Sequence, residues 1–268
     1  EGMQIVILPT AANAEHLAAR IVADRLRAKP DLVLGCATGR TMEGIYDRLV
    51  AIAAAERLDF SAVHTFNLDE YVGLAPDDPR SYHHYMAERL FSRVGLARER
   101  THLPNGVATD LQAECADYEA RIKAVGGIDL QLLGLGSTGH IGFNEPLSSL
   151  TSRTRPKVLA PGTREQNAEA FGGDPASVPA RALTMGVGTI LEAHEVLLIV
   201  TGAHKADILA TAAEGPVTSL VSATALQFHP RCHVLVDEAA AARLQEREYY
   251  EWTVRHEPAW ERYANLLD

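Results

Sequence analysis

The stretch Leu132–Pro146, LLGLGSTGHIGFNEP, joins an apolar run to a group of polar residues. The run from Ile128 to Leu135 is typical of a buried strand, and it ends in glycines. His140 and Glu145 follow, five residues apart, before Pro146 interrupts regular structure. In open α/β sheets, ligands bind outside the carboxyl ends of the strands. The stretch therefore predicts a strand that delivers polar side chains to a ligand site.

Strands and helices alternate along the rest of the chain. The predicted strands are Gln4–Leu8, Leu32–Cys36, Val63–Leu68, Ile128–Leu135, Val196–Thr201 and His233–Asp237. The predicted helices are Ala11–Ala28, Met42–Ala55, Ser81–Val94, Asp110–Val125 and Ala203–Ala213, followed by a helical tail. This alternation indicates a Rossmann-like, three-layer α/β/α fold with a mostly parallel central sheet.

The segment between Thr151 and Pro179 is polar and has no clean periodicity. Long irregular segments inside a compact domain are often mobile lids over a binding site. We therefore expect a single domain over residues 1–268 that carries a lid segment. Glu1 and Gly2 precede Met3, and we expect these two residues to be left from cloning.

Composition excludes several classes of function. The chain has 268 residues, 47% of them hydrophobic, and a formal net charge of −10. An acidic chain is a poor nucleic-acid binder, so an anionic ligand should be small and held locally. No apolar run is long enough to cross a bilayer, and no membrane partner is expected. Three scattered cysteines without a CxxC pair suit a reducing compartment, so a cytoplasmic location is expected.

Polar residues follow four of the predicted strands. The four groups are Ala37–Thr41, Asp69–Tyr71, Gly136–Glu145 and Gly202–Lys205. Because the carboxyl ends of parallel strands lie at one edge of a sheet, one site could collect all four groups. The loop at residues 38–41 opens a helix, where free N–H groups bind anions, although an ordinary capped turn has the same residues.

Each of the side chains in these groups has both a chemical and a structural interpretation. Asp69 fits a general base, although a loop aspartate more commonly caps a turn. His140 with Glu145 fits a proton shuttle oriented by a carboxylate, or a structural histidine bonded to backbone. Lys205 fits a phosphate contact or a solvated lysine. No His, Cys or Asp cluster has metal-site spacing, so no metal is expected.

The run Gly134–Gly139 satisfies GxGxxG after a strand, which raises a nucleotide-binding interpretation. That fingerprint needs a long helix next, and an acidic residue about 20 positions further on. Pro146 comes too soon for such a helix, and basic residues stand where the acid is needed. No GxSxG elbow is present, which disfavours a serine hydrolase.

Several segments, spread from near residue 34 to beyond residue 205, carry a family resemblance. They read LGCATGRTMEGIYDRL, FNLDEYVGL, SYHHYM, LGLGSTGHIGFNEP, SLTSRTRPK, ALTMGVGTIL and VTGAHKA. Together they resemble the glucosamine-6-phosphate deaminase family, and FNLDEYVGL followed by GHIGFNEP is the most specific part. The resemblance implies an enzyme that converts glucosamine 6-phosphate and water to fructose 6-phosphate and ammonia. It implies no cofactor.

The resemblance also implies a role for each matching residue. His140 would open the pyranose ring, with Glu145 holding and tuning the imidazole, and Asp69 would move a proton between C2 and C1. The residues implied to hold the 6-phosphate are Thr38, Gly39, Arg40, Thr41 and Lys205, and those implied to shape the sugar pocket are Gly136, Gly142 and Asn144. Residues 151–184 would correspond to the mobile lid of the family.

Three positions depart from the family pattern. Thr138 stands beside the catalytic histidine where relatives often have Asp or Asn, and it brings no charge. Arg40 replaces a small residue of the phosphate loop, and Glu169 aligns with a lid arginine. We hypothesise that Arg40 supplies the missing cationic contact, with Glu169 either paired with it or facing solvent. The alternative is a slipped lid alignment in which Arg164 contacts the phosphate.

The resemblance further implies a second ligand site. Some bacterial members of the family are activated by N-acetylglucosamine 6-phosphate at a subunit interface. Ser148, Arg155 and Lys157 match the residues that bind the phosphate of this effector. Because non-allosteric relatives share part of the motif, a structural turn is the alternative. A homo-oligomer is compatible with the sequence but not determined by it.

Three other functions fit parts of the same sequence. These are a galactosamine-6-phosphate deaminase, a sugar-phosphate lactonase on the same fold, and a non-catalytic sugar-phosphate-sensing domain. The lid departures leave the sugar epimer open. The complete set of Asp69, His140 and Glu145 disfavours the lactonase and the sensor.

Overall fold

A parallel β-sheet forms the centre of the protein, whose computed structural model describes residues 2–268. The strands are β1 (Gly2–Leu8), β2 (Val33–Cys36), β3 (His64–Asn67), β4 (Asp69–Tyr71), β5 (Thr101–His102), β6 (Leu130–Gly134), β7 (Arg155–Val158), β8 (Arg181–Thr184), β9 (Glu195–Val200) and β10 (Arg231–Asp237). Seven of them pair in parallel in the order β1-β10-β9-β6-β2-β3-β5. The expectation about Glu1 lies outside the described residues.

Helices cover both faces of this sheet. They are α1 (Ala11–Ala28), α2 (Arg40–Glu56), α3 (Tyr82–Met86), α4 (Ser92–Val94), α5 (Leu111–Ala124), α6 (Pro161–Gln166), α7 (Val187–Leu191), α8 (Ala206–Glu214) and α9 (Arg247–His256). Phe66 of β3 packs edge-on against Tyr118 of α5. Cys36 of β2 pairs with Asn67, the residue after Phe66, so its side chain points to the face opposite that of Phe66. There it contacts Tyr46 of α2. The predicted three-layer, Rossmann-like α/β fold is therefore confirmed.

The order of the strands reverses beside β2. From β2 the chain adds β3 and β5 on one side, whereas β6, β9 and β10 are added on the other. At a reversal of this kind, the connections on its two sides run in opposite directions and leave a crevice between them. This crevice lies at the carboxyl edge of the sheet, where ligands of such folds bind.

A second, antiparallel sheet lies beside the first, in the order β4-β8-β7. The expectation of irregular structure over residues 151–179 is wrong in part, because this segment contains β7 and α6. β7 has the sequence RPKV, in which three residues are half-buried and Val158 is exposed. The sequence therefore lacks the alternation of apolar and polar residues that would predict a strand. Pairing with β8, and not local pattern, makes this segment a strand.

The helix predicted at Ser81–Val94 is present with an irregular middle. Ser81 caps α3 through its hydroxyl, and five residues with wider π-helical turns connect α3 to α4. The tail contains α9 and a 3₁₀ segment, as expected. Within residues 2–268, no helix is both long enough and apolar enough to cross a membrane.

Candidate active site

A cavity of about 720 Å³ opens at the carboxyl edge of the central sheet. The loops that follow β2, β3, β6 and β9 all contribute to its wall, and these four strands are neighbours in the sheet. Of the residues expected at the site, those that line it are Thr38, Gly39, Arg40, Thr41, Asp69, Gly136, His140, Gly142 and Lys205. The expected convergence of four strand ends on one site is therefore observed.

The loop after β2 forms one end of the cavity. Gly39 has a φ of +105°, which an L side chain rarely adopts, and its carbonyl accepts a hydrogen bond of 2.7 Å from the Tyr85 hydroxyl. Helix α2 begins at Arg40, so the N–H groups of its first turn have no intrahelical acceptor. Such a turn attracts small anions.

Asp69 begins β4, where the chain passes from the central sheet to the small one. The backbone of Leu68 links the two sheets, since its N–H donates to Cys36 and its carbonyl accepts from Met185. The Asp69 side chain is buried against the cavity. Burial raises the pKa of this carboxyl to about 8, and the neighbouring Glu70 charge acts in the same direction. A carboxyl of this kind can take up and return a proton near neutral pH.

His140 lies at the end of a tight turn that starts at Gly136. The N–H of Gly136 donates to the carbonyl of His140 over 3.0 Å, which closes the turn. The ring Nδ1 lies 2.8 Å from the Gly142 carbonyl, and Nε2 is buried with no partner among the described residues. Burial lowers the pKa of His140, although the Gly142 carbonyl and the Glu145 charge oppose this effect. The ring is therefore neutral at pH 7, with Nδ1–H donating and Nε2 free to accept a proton.

Glu145 does not hold the imidazole, contrary to the expectation. Its carboxylate accepts hydrogen bonds from Ala160 N–H at 3.1 Å and from the Thr163 hydroxyl at 2.7 Å, and it lies outside the cavity wall. The Gly142 carbonyl, two residues further along the same loop, accepts the hydrogen bond from the His140 ring in place of Glu145. Glu145 therefore acts on His140 only through its charge, while it fixes the beginning of α6.

Two other expected site residues also lie away from the cavity. Thr138 is exposed at the tip of the turn, and its hydroxyl bonds to no side chain or backbone group within residues 2–268. Asn144 is fully buried, and its amide donates to the carbonyls of Ile141 and Met185. Asn144 therefore holds the shape of the loop below the cavity and cannot line the sugar pocket as expected.

Two of the expected cations, Arg40 and Lys205, line the cavity. The ammonium group of Lys205 donates to the Leu135 carbonyl, and burial lowers the pKa of this lysine. Arg40 pairs with Glu169 at 2.5 Å, and both side chains are 80% exposed. Arg164 instead donates to the carbonyls of Ala176 and Val178 and does not line the cavity. The geometry therefore disfavours the alternative in which Arg164 contacts the phosphate.

The residues expected for the effector form a separate group. Arg155 donates to the Asn144 amide oxygen at 2.7 Å, and Lys157 is half-buried in β7. Ser148 is buried, and its hydroxyl has no hydrogen-bond partner within the described part of the chain. These residues lie outside the cavity wall.

The aromatic side of the cavity was not predicted from the sequence. Tyr71, Tyr82 and Tyr85 line it, and the hydroxyl of Tyr82 donates to that of Tyr71 at 3.2 Å. Arg80 also lines it and lies over the Phe171 ring, 5.7 Å from the centroid. The spacing of Tyr82 and Tyr85 in SYHHYM, three residues apart in a predicted helix, could have indicated a shared face.

The fold and the cavity define a Rossmann-like α/β protein in which a loop at the start of a helix, a carboxyl and an imidazole meet at one sheet edge. Within residues 2–268, no group of three or more His, Cys, Asp or Glu side chains is placed to hold a metal ion. Residues 9–233 match the family described as glucosamine-6-phosphate isomerases/6-phosphogluconolactonase. The chain belongs to this family.

Individual relatives agree with this assignment. A glucosamine-6-phosphate deaminase of Arthrobacter sp. (strain FB24) is 49% identical over 259 residues, which cover 97% of this chain and 99% of the relative. Among solved structures, a monomeric glucosamine-6-phosphate deaminase matches with a TM-score of 0.87 and 44% identity, covering 90% of this chain and 100% of that one. A 6-phosphogluconolactonase from Trypanosoma cruzi matches with a TM-score of 0.71 at 18% identity, over 90% of this chain and 97% of that one, which shows a shared fold.

Proposed function

We propose that the protein is a glucosamine-6-phosphate deaminase, which converts glucosamine 6-phosphate and water to fructose 6-phosphate and ammonia. The observation that carries this proposal is the placement of Asp69, His140 and Lys205 around one cavity. The proposal also rests on membership of the family and on near full-length relatives of that name.

His140 would carry out the opening of the sugar ring. Its free Nε2 can accept the proton of the C1 hydroxyl, and the same proton can pass to the ring oxygen as the C1–O5 bond breaks. The Gly142 carbonyl keeps the proton of the neutral ring on Nδ1, which leaves Nε2 as the base. The product of this step is the open-chain amino aldehyde.

Asp69 would move a proton from C2 to C1 of the open chain. Removal of the C2 proton gives the enolate of an enolamine. The C1 oxygen takes a proton from the amino group of the substrate, and return of the first proton to C1 gives an imine at C2 and a hydroxyl at C1. Water then adds to the imine carbon, and ammonia leaves to give the ketone. Because the pKa of Asp69 is raised by burial, its carboxyl can act as both acceptor and donor in this exchange.

The phosphate would bind at the end of the cavity formed by the loop after β2. The first turn of α2 offers backbone N–H groups, and Lys205 supplies positive charge. Arg40 lines the same end and completes the cationic wall. We assign substrate selection to these groups, because a sugar without phosphate has nothing to place there.

One assay tests the proposed activity. Ammonia release should be clear with glucosamine 6-phosphate and very small with free glucosamine, since only the phosphorylated sugar uses the cationic contacts. The galactosamine epimer, measured in parallel, decides between the two hexosamine phosphates. Asp69→Asn should abolish release, because an amide cannot carry the proton from C2 to C1. Comparable rates with free glucosamine would contradict the proposed phosphate site.

We propose that residues 151–184 move as a lid on a single domain. The segment is anchored by the pairing of β8 with β4 and by hydrogen bonds to Glu145 and Asn144. Two further contacts with the cavity loops are Arg40 with Glu169 and Gln166 with Ser137. Both contacts involve exposed side chains, which separate at little cost. Such contacts suit a segment that opens to admit substrate and closes over it.

We further propose a cytoplasmic location and leave the effector as a hypothesis. Cys36, Cys115 and Cys232 are all buried free thiols, which suits a reducing compartment. For the effector, the buried and unpartnered Ser148 hydroxyl supports an anion site with Arg155 and Lys157. The engagement of Arg155 with Asn144 favours the alternative of a structural turn.

A further inference from the structure

Glu70 is a buried acidic residue that the proposed chemistry does not use. Its side chain is 0% exposed, between two residues of β4 that line the cavity, Asp69 and Tyr71. Because successive side chains of a strand point to opposite faces, Glu70 points away from the cavity. A carboxylate buried in this way must have strong partners to remain in the fold.

The partners of Glu70 are four N–H groups. One carboxylate oxygen accepts from the backbone N–H of Tyr71 at 2.9 Å and of Tyr82 at 3.1 Å. The other accepts from His83, through its backbone N–H at 3.1 Å and its ring Nδ1 at 2.7 Å. Glu70 therefore ties β4 directly to the first turn of α3.

This contact completes the cap of α3. The hydroxyl of Ser81 accepts from the N–H of His84, so it satisfies the third N–H of the helix. Glu70 satisfies the first two, on Tyr82 and His83. The side chain of Tyr82, held by this turn, lies in the cavity wall and donates to the Tyr71 hydroxyl.

We propose that Glu70 is a positioning residue for the reaction: it fixes Asp69 and Tyr82 relative to each other, and its charge acts on the neighbouring Asp69 carboxyl. This inference rests on the function proposed above. Glu70 touches neither the cavity nor the substrate site, so it acts through its neighbours alone.

The electrostatic part of the inference follows from the surroundings of Asp69. Burial raises the pKa of this carboxyl first, and the Glu70 charge raises it further, to about 8. The Asp69 charge contributes to the raised pKa of three nearby tyrosines, which are Tyr71 of β4, Tyr82 of α3 and Tyr118 of α5. The other charged or titratable groups on the cavity wall are Glu15, Arg40, Glu43, Arg80, Tyr85, His140, His204 and Lys205.

The groups around Glu70 itself complete the electrostatic description. His83 of α3 faces it directly, and the paired residue of β8 is Leu183, which carries no charge. Glu70 is therefore the residue of β4 whose negative charge opposes ionisation of Asp69. Removal of this charge should favour the ionised form of Asp69.

The test is the pH profile of kcat/KM in a Glu70→Gln variant. In the wild type, ammonia release should increase with pH through about 8, because Asp69 must be ionised to accept the proton. Glutamine keeps the size and one acceptor oxygen but removes the charge, so this acid limb should move down by about 0.5–1 pH unit. On the plateau kcat should fall several-fold, whereas KM should change little, since the phosphate contacts are elsewhere.

Ser81→Ala is the matched control. It removes the other cap of the same helical turn without altering charge, so it should lower Tm and leave the acid limb in place. A folded Glu70→Gln variant whose acid limb coincides with that of the wild type overturns the inference.

A second variant keeps the test decisive if glutamine prevents folding. Glu70→Asp retains the charge but is too short to reach both N–H groups of α3, so kcat should fall while the acid limb stays. Wild-type kcat in Glu70→Asp overturns the positioning role. Absence of ammonia release by the wild-type protein would refute the proposed function instead, before any variant is compared.

Discussion

At the residue scale, the orientation of His140 depends on the absence of a side chain at Gly136. A Cβ built on Gly136 would lie 2.4 Å from Nε2 of His140 and 2.5 Å from Cε1. Real Cβ atoms do not approach a ring so closely, so any larger residue must displace the imidazole. The glycine is therefore required by the position of the ring.

Replacement of Gly136 by alanine should impair catalysis more than folding. We expect kcat to fall by about 100-fold, because a shift of roughly 1 Å misaligns a catalytic group. Gly162→Ala is the control, since an added Cβ there meets no atom within 4 Å. Steady-state ammonia release and circular dichroism of both variants make the comparison. Unchanged kcat in Gly136→Ala would mean that the position of this ring does not matter for the reaction.

Arg40, which lines the cavity, forms an exposed ion pair with Glu169. Arg40→Ala should raise KM for glucosamine 6-phosphate by about tenfold or more, because loss of one charged hydrogen bond to the phosphate weakens binding by about that factor. Glu169→Ala should have a much smaller effect, because it removes only the competing partner. Measured KM values for both variants test the hypothesis, and equal small effects would reject it.

At the element scale, one buried carboxylate joins three elements at the amino end of the sheet. Glu195 of β9 accepts two hydrogen bonds from Arg25 of α1, at 2.7 and 2.9 Å, and one from His233 of β10 at 2.6 Å. Burial alone would raise the pKa of Glu195, but the hydrogen bonds from Arg25 and His233 outweigh it and hold the pKa well below the ordinary value. The folded state therefore favours the ionised form.

Glu195→Gln should destabilise the protein by about 1–3 kcal/mol at pH 7, because charged hydrogen bonds become neutral ones. Since the folded pKa lies below the unfolded value of about 4.3, this contribution is complete above that pH and is lost as the pH falls. Urea unfolding at pH 7 and at lower pH should show the difference between wild type and variant shrinking in acid.

A matched carboxylate serves as control for this prediction. Glu238 also pairs with an arginine, Arg247, but both side chains are well exposed. Glu238→Gln should therefore change the free energy of unfolding by only ~0.5 kcal/mol or less. A difference between wild type and Glu195→Gln that stays constant from pH 7 into acid would argue against the linkage.

At the scale of the whole molecule, the effector hypothesis predicts a change in the shape of the rate curve. If Ser148, Arg155 and Lys157 bind a second sugar phosphate in an oligomer, the substrate curve should be sigmoidal. N-acetylglucosamine 6-phosphate should then make it hyperbolic. Initial rates over a range of substrate, with sedimentation to count subunits, provide the measurement. Hyperbolic curves that the acetylated sugar leaves unchanged would favour the structural turn.

The cavity itself is a property of the whole molecule. Its wall comes from loops that follow four neighbouring strands, on both sides of the point where strand order reverses. The sequence could predict this convergence because parallel strands present their carboxyl ends at one edge. It could not predict the small sheet, because β7 becomes a strand only by pairing with β8.

The sequence by itself determined the alternation of strands and helices, the edge at which the site forms, and the placement of Asp69, His140 and Lys205 after strands that end at that edge. Those properties follow from local periodicity and from which residues end each strand. Only the tertiary structure decided that Gly142, and not Glu145, orients His140, and that Glu70 ties β4 to α3. Hydrogen bonds of this kind depend on how separate segments pack, and a short polar side chain has several partners within reach until packing selects one.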